Sequence, residues 1–196
     1  MSAGYVHLYK IKRLEVNASI IKEVQSGNRK VVLDLYHYSF NVLMSSAVRY
    51  KNNKEDQMEI VNNAFMKIVT NIKSYKPGTA YFSWIKTIVQ REIIDDFRKN
   101  KRYKELFKMS DSDTVADSAV EPEVYNSLDA ESVVEMLNVL PPATKLVFNL
   151  YAIEGYKSKE IMEELNISYE TVKWHIKQAR KKLKSLIVEN KIPLNL

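Results

Sequence analysis

The residue types that most often carry catalysis are few in this chain and lie far apart. Its 196 residues include no cysteine, and the three histidines, His7, His37 and His175, lack the spacing of metal ligands. Asp95 and Asp96 form a carboxylate pair, but adjacent residues of a helix point about 100° apart and do not converge on one substrate. No glycine-rich loop for phosphate is present. We therefore expect no enzyme, no metal and no cofactor.

Charge points instead to a polyanionic partner. The net charge is +6, although the segment 105–135 alone holds nine acidic residues and one lysine. The positive charge is therefore concentrated on either side of that segment, as expected for a protein that binds nucleic acid. The first 16 residues do not resemble a signal peptide, and no apolar run of membrane-spanning length occurs. We expect a cytoplasmic protein without membrane insertion.

The elements that must position the charged side chains are predicted to be helices. Four glycines and five prolines in 196 residues favour an all-α protein. We predict an N-terminal extension over 1–16 and two small helical domains over 17–107 and 132–196. A flexible acidic linker, 108–131, is predicted to join the two domains. Helical periodicity and capping signals place the helices at about 17–27, 29–49, 54–75, 80–104, 133–139, 143–153, 158–164 and 168–188.

The C-terminal domain contains a short helix, a tight turn and a longer helix that grows basic. Asn166 tolerates the left-handed backbone of such a turn, and Ser168 can cap the next helix. A polar outer face on that helix completes a helix-turn-helix pattern. A three-helix bundle with a solvated basic face would look similar, but the number of cations favours phosphate contacts. The stripe predicted to face inward consists of Val172, Ile176, Ala179 and Leu183.

The fourth helix combines an aromatic side chain with a row of cations. Trp84, Arg91, Arg98 and Arg102 fall within about 40° of one another on a helical wheel. An aromatic ring beside cations suits single-stranded DNA, although an ordinary solvated face would also carry such charges. The opposite face, predicted to be core, holds Phe82, Ile85, Val89, Ile93 and Phe97.

Three segments resemble the sigma-70 family, most closely the extracytoplasmic-function (ECF) sigma factors. Region 4 of that family is similar to LPPATKLVFNLYAIEGYKSKEIMEELNISYETVKWHIKQARKKLK, residues 140–184. Regions 2.3 and 2.4 are similar to YFSWIKTIVQREIIDDFRK, residues 81–99, and the helix that docks on the polymerase clamp is similar to EIVNNAFMKIVTNIKSYKP, residues 59–77. Asn166 replaces the usual turn glycine, Trp174 a smaller residue and Arg91 a typical asparagine.

The resemblance implies a sigma factor whose partners are core RNA polymerase, through its β′ clamp and β flap, promoter DNA and an anti-sigma factor. Region 2 would open the −10 element and region 4 would read the −35 element. The implied −35 contacts are Ser168, Tyr169, Glu170, Thr171, Lys173, Trp174, His175, Lys177, Arg180 and Lys181. The implied −10 contacts are Tyr81, Trp84, Arg91, Asp95, Arg98 and Arg102. The implied clamp contacts are Glu59, Asn62, Asn63 and Lys67.

One alternative is a stand-alone helix-turn-helix regulator whose first domain senses a ligand or dimerises. It accounts for the C-terminal half of the chain. It does not account for the face of the fourth helix that begins at Trp84 or for the helix of residues 59–77. The sigma-factor interpretation explains all three segments.

Overall fold

The computed structural model describes residues 14–99, 107 and 130–188, with side chains described through residue 186 except at 130 and 131. Within these residues every regular element is a helix and no strand occurs, which confirms the predicted all-α class. Most of the predicted extension and nearly all of the predicted linker lie outside the described residues. None of the described helices is both long and apolar enough to cross a membrane.

Two compact units make up the chain, one through Ile93 and one from Ile94 onward. The domain limits at 17–107 and 132–196 remain a prediction. The first unit contains helices α1 to α3 and most of α4. Their bounds are α1 Ala18–Gln25, α2 Arg29–Ala47, α3 Lys54–Thr70 and α4 Tyr81–Lys99, with a 3-10 turn at Ile72–Ser74.

Local side-chain chemistry sets the helix ends of the first unit. The Asn17 side chain accepts from the backbone N–H groups of Ser19 and Ile20 at 3.0 and 3.1 Å, as its predicted N-cap role requires. The third helix, predicted to reach residue 75, ends at Thr70. The Lys67 carbonyl accepts from both the backbone N–H and the side-chain amide of Asn71, at 3.0 and 2.8 Å, so Asn71 closes the helix end there.

The core of the first unit forms where α2 packs against α3. Leu35 and Leu43 of α2, like Ile60 and Ile68 of α3, are at most 1% exposed. Burying side chains of this size stabilises the fold by about 1.5–3 kcal/mol each. The α2–α3 pair therefore provides a rigid base for the exposed faces of these helices and for the start of α4.

The second unit contains α5 to α8, which are Ala130–Asn138, Pro142–Ala152, Ser158–Leu165 and Tyr169–Val188. Helix α5 begins three residues earlier than predicted and takes in the last two residues of the predicted linker. Proline at the first position of α6 suits a helix start, where no backbone N–H is needed. The predicted inward stripe of α8 is buried throughout, and its last two members pack with Met136, Leu137, Leu140 and Phe148.

Candidate nucleic-acid interface

The turn between α7 and α8 has the backbone geometry that the sequence predicts. Asn166 adopts φ 48° and ψ 50°, the left-handed conformation, and its N–H bonds back to the last turn of α7. The Ser168 hydroxyl accepts from the backbone N–H of Thr171 at 3.0 Å and lies 2.9 Å from the Thr171 hydroxyl. The cap fixes where α8 begins, because it satisfies a donor that has no partner within the helix.

Packing then fixes the direction of α8. Ile161 and Leu165 of α7, together with Val172 of α8, are fully buried. The shared core of α7 and α8 and the left-handed turn between them hold the outer face of α8 in one orientation. That arrangement is the helix-turn-helix motif, in which the second helix enters the major groove.

The outer face of α8 is cationic and accessible. Lys173, Arg180 and Lys181 are exposed, and Lys177 is partly exposed. The Lys173 ammonium lies over the Tyr169 ring, 5.6 Å from its centroid. Contacts of this length attract a cation to an aromatic face. This side of α8 can therefore meet phosphates with at least one of its cations already oriented.

The remaining residues predicted from α8 to read DNA differ in exposure. Ser168 and Glu170 are exposed and Tyr169 is 37% exposed, whereas Thr171 is partly buried. The hydroxyl of Ser168 is engaged in the cap described above. Glu170 lies in the first turn of α8, where its carboxylate suits the helix dipole.

His175 lies in the core, contrary to the prediction that it faces DNA. Its side chain is 2% exposed, and its Nδ1 atom lies 2.9 Å from the Thr144 hydroxyl of α6. The rings of Phe107 and Trp174 approach it edge-on, at centroid distances of 5.4 and 4.8 Å. Burial among these groups lowers the pKa of His175 to about 4. A neutral, enclosed ring supports the position of α8 and makes no contact with DNA in this conformation.

Trp174, predicted on the outer face of α8, is partly buried. Its indole nitrogen is enclosed and has no hydrogen-bond partner among the described residues. Packing against His175 explains why so large a side chain occurs on this helix.

At the start of α4, five aromatic rings form a cluster. Tyr81 lies at its centre, 5.4 to 5.9 Å from the rings of its neighbours. The Tyr81 hydroxyl bonds Ser39 of α2 at 2.8 Å, the side chain is 7% exposed, and burial raises its pKa. Tyr81 is therefore a buried residue around which the other rings pack. The prediction that it contacts DNA is wrong. The other members are Tyr38, Tyr75, Phe82 and Trp84.

Phe82 is exposed, although its helical period placed it in the core. Its side chain is 42% exposed, and its ring lies 4.9 Å from that of Tyr38. Periodicity misplaced it because the core-facing row is left uncovered at this first turn of α4. Trp84, which the resemblance implies to be a −10 contact, is partly buried and contacts Tyr75 and Tyr81. The cluster thus offers aromatic surface, which single-stranded bases stack upon.

The loop before α4 is anchored by Tyr75, which is a member of this cluster. Tyr75 is 5% exposed, and its hydroxyl donates to the Thr79 carbonyl at 2.7 Å. Gly78 has φ +85°, a conformation that favours glycine because it has no Cβ. The loop is therefore held at both ends while its tip stays open to solvent.

The cations predicted along α4 are accessible as far as the structure describes them. Arg91 and Arg98 are exposed, while Asp95 is partly buried. Arg102 lies outside the described residues. A helix places residues seven apart on nearly the same face, so Arg91 and Arg98 point in similar directions.

The residues predicted to meet the polymerase clamp divide into two groups. Glu59, Asn62 and Asn63 are exposed on α3. Lys67 is turned toward α4, where its ammonium pairs with the Glu92 carboxylate at 2.6 Å, and the Glu92 side chain is only 2% exposed. A cation that neutralises a buried carboxylate is committed to the fold. Sequence reasoning missed this role because the pairing depends on how α3 and α4 pack.

Helix α8 has a tight left-handed turn before it, a capped start and an accessible cationic side. These features define the second unit as a DNA-binding module of the helix-turn-helix class. Within the described ranges, no group of three or more histidine or carboxylate side chains could hold a metal ion.

The chain belongs to the ECF sigma factor family, whose family model matches residues 15–188. It is 29% identical over 154 residues to RNA polymerase sigma factor SigZ of Bacillus subtilis, covering 79% of this chain and 84% of that one. It is 25% identical over 146 residues to ECF RNA polymerase sigma factor SigE of Mycolicibacterium smegmatis. That match covers 74% of this chain but 56% of the relative.

Among solved structures, the chain is similar to the sigma factor RpoE from Bartonella quintana, crystallised with the anti-sigma factor NepR. The TM-score is 0.45 and the identity 23%, over 79% of this chain and 96% of that chain. Family membership makes the protein a sigma factor that directs transcription initiation, and a stand-alone regulator is not favoured. Its relatives are sigma factors, which are not enzymes.

Proposed function

We propose that the protein binds core RNA polymerase and grips promoter DNA at two places. The second unit would read the −35 element in the major groove through α8, and the first would open the −10 element through α4 and the preceding loop. The observation that carries this proposal is the cationic outer face of α8, held in register by the Asn166 turn and the Ser168 cap. Phosphate contacts of this kind set position, and base-edge contacts set sequence preference.

For the −35 element, the proposed base-edge contacts come from the first two turns of α8. Tyr169, Glu170 and Lys173 are exposed there, at the end of the recognition helix that usually meets bases. Lys177, Arg180 and Lys181 follow on later turns and suit phosphates. His175 is excluded from this set because its ring is enclosed.

For the −10 element, the proposed contacts are the aromatic cluster and the cations of α4. The exposed Phe82 and the partly exposed Trp84 offer stacking surface for unpaired bases, and Arg91 and Arg98 offer charge for the backbone. Stacking of a base on an aromatic ring is worth about 1–3 kcal/mol. Binding energy of that size favours the unpaired strand over the duplex, where bases are not accessible.

Core polymerase is proposed to meet the exposed side of α3. Glu59, Asn62 and Asn63 are available there, and Met66 beside them is 62% exposed. A polar row beside an exposed apolar side chain resembles the mixed composition of protein interfaces. Lys67 contributes through its pair with Glu92, by holding α3 against α4.

Several wider features of the proposal follow from family membership. The two domains would be residues 17–107 and 132–196, joined by the acidic linker 108–131. The protein would act in the cytoplasm, with the β′ clamp and β flap of the polymerase as its docking sites. An anti-sigma factor that binds the chain would control access to the polymerase.

The test is reconstitution with core RNA polymerase. The full chain is added to core enzyme, association is measured by size-exclusion chromatography, and promoters are selected from a randomised DNA library. Strand opening on the selected promoter is then mapped by permanganate reactivity of unpaired thymines. Failure to associate with core enzyme would refute the proposal.

Two variants separate the two DNA contacts. Lys173→Gln should weaken binding to the selected promoter duplex, while Trp84→Ala should reduce permanganate reactivity more than duplex binding. The matched control is Lys22→Gln, which removes the same charge from an exposed position of α1. Unchanged open complexes in both test variants would contradict the assignment of these residues.

A further inference from the structure

Arg180 is exposed on the outer side of α8, yet its guanidinium is not isolated. It lies over the ring of Tyr151, 5.6 Å from the ring centroid. Tyr151 belongs to the last turn of α6 and is partly buried, so the ring itself has a fixed place. Attraction between a guanidinium and an aromatic face at this distance restricts the directions in which the arginine points.

A second pair of the same kind occurs one turn into α8, where Lys173 lies over Tyr169. Counting 100° per residue, Tyr169, Lys173, Lys177 and Arg180 fall within about 80° of one another on the helix. Lys184 also falls in this range, so two of the four cations on this face lie over tyrosine rings. One ring comes from α8 itself, whereas the other comes from α6, outside the helix-turn-helix.

We infer that Tyr151 is a positioning residue for DNA binding, which orients Arg180 toward a phosphate of the duplex. The inference rests on the proposed function, because it assumes that this face of α8 meets DNA. A free arginine loses rotamer freedom when it contacts a phosphate. An arginine already held against a ring loses less, so part of the ordering cost is met during folding and binding is tighter. Tyr151 makes no contact with DNA in this scheme.

The experiment measures binding of the full chain to a short duplex of arbitrary sequence, by fluorescence anisotropy over a range of salt concentrations. Phosphate contacts are independent of sequence, so this probe is sufficient. The variants are Arg180→Ala, Tyr151→Leu, Tyr151→Phe, and Arg180→Ala combined with Tyr151→Leu. Thermal unfolding of each variant is recorded beside the binding curves.

Arg180→Ala should lower the slope of log affinity against log salt by about 0.9, the value for one lost phosphate contact. Tyr151→Leu should keep the slope and weaken binding by about two- to fivefold, as expected from the strength of an exposed cation–π contact. Tyr151→Phe keeps the aromatic ring, so its affinity for the duplex should equal that of the wild type. In the Arg180→Ala background, Tyr151→Leu should have no further effect on binding.

Three results would overturn the inference. One is wild-type affinity in Tyr151→Leu, and another is an equal loss from Tyr151→Leu when Arg180 is already absent, which would indicate a purely structural role. The third is a salt slope that Arg180→Ala leaves unchanged. The third result would also remove Arg180 from the proposed phosphate contacts. The rest of the proposed function is judged separately, by association with core polymerase and by strand opening.

Discussion

Acid should destabilise the second unit through His175. Burial lowers the pKa of this ring to about 4 in the folded protein, against an ordinary value of 6.5. The groups that enclose it, Thr144, Phe107 and Trp174, carry no charge that could balance a proton. The unfolded chain therefore takes up a proton near pH 6.5, whereas the folded chain resists until about pH 4. The neutral His175 ring therefore contributes stability above the unfolded pKa of 6.5, and this contribution is lost as the pH falls from there toward about 4.

The size of the effect follows from the pKa difference. One pKa unit corresponds to about 1.4 kcal/mol, so the free energy of unfolding should fall by about 2 kcal/mol between about pH 7 and about pH 5. The loss should approach about 3 kcal/mol near pH 4. Carboxylates elsewhere also titrate toward that lower limit, so the comparison between variants is made above it.

The assay is urea unfolding of the full chain in a Trp84→Phe background, at several pH values between about 5 and about 7. The chain has two tryptophans, so Trp174 is then the only one, and it reports on the second unit because its ring packs against His175. His175→Gln has no titratable ring and keeps polar atoms near Thr144. It should show a pH dependence about 2 kcal/mol smaller over this range.

His37→Gln is the matched control, because it removes a histidine from an exposed position of α2 in the first unit. It should leave the pH dependence of the Trp174 transition unchanged. Equal pH dependence in His175→Gln and the wild type would show that the ring is solvated or already paired in solution. The packing argument for α8 would then be wrong.

Three further changes probe the turn, the ion pair and the aromatic cluster. Asn166→Ala should lower the free energy of unfolding of the second unit by about 1 kcal/mol in urea, whereas Asn166→Gly should not, because a Cβ is unfavourable at φ 48°. Lys67→Met leaves the Glu92 carboxylate buried without its cation and should destabilise the first unit by about 3 kcal/mol. Adding Glu92→Leu should recover most of that loss, and an additive second loss would contradict the ion-pair argument. Phe82→Ala removes a ring that is 42% exposed, so the free energy of unfolding should change by less than about 1 kcal/mol. Permanganate reactivity at the promoter should nevertheless fall, because a stacking surface is lost. Normal strand opening in this variant would remove Phe82 from the DNA-binding cluster.

Local signals in the sequence predicted most helix ends because their chemistry acts over a few residues. Asn17 and Ser168 cap their helices through their own side chains. Asn166 takes the left-handed conformation that the turn requires. The end of α3 was missed, since Asn71 bonds back to Lys67 in a way that composition does not reveal.

Helical period was a good guide to the core wherever another helix covers the predicted face. The α8 stripe is buried throughout, and so are Ile85, Val89 and Ile93 of α4. Phe82 belongs to the same row as these three residues but is exposed. The period says which residues share a face, and it does not say how far along the helix that face is covered.

Residue types at fixed spacing were sufficient to predict the all-α class, the helix-turn-helix and the family. The exposure and pairing of individual site residues depend instead on how the helices pack. His175 turned inward to Thr144, Tyr81 bonded Ser39, and Lys67 paired with Glu92. In each case the partner lies on another helix, 25 or more residues away along the chain. Spacing within one helix carries no information about such a partner, so exposure and pairing had to come from the packed fold.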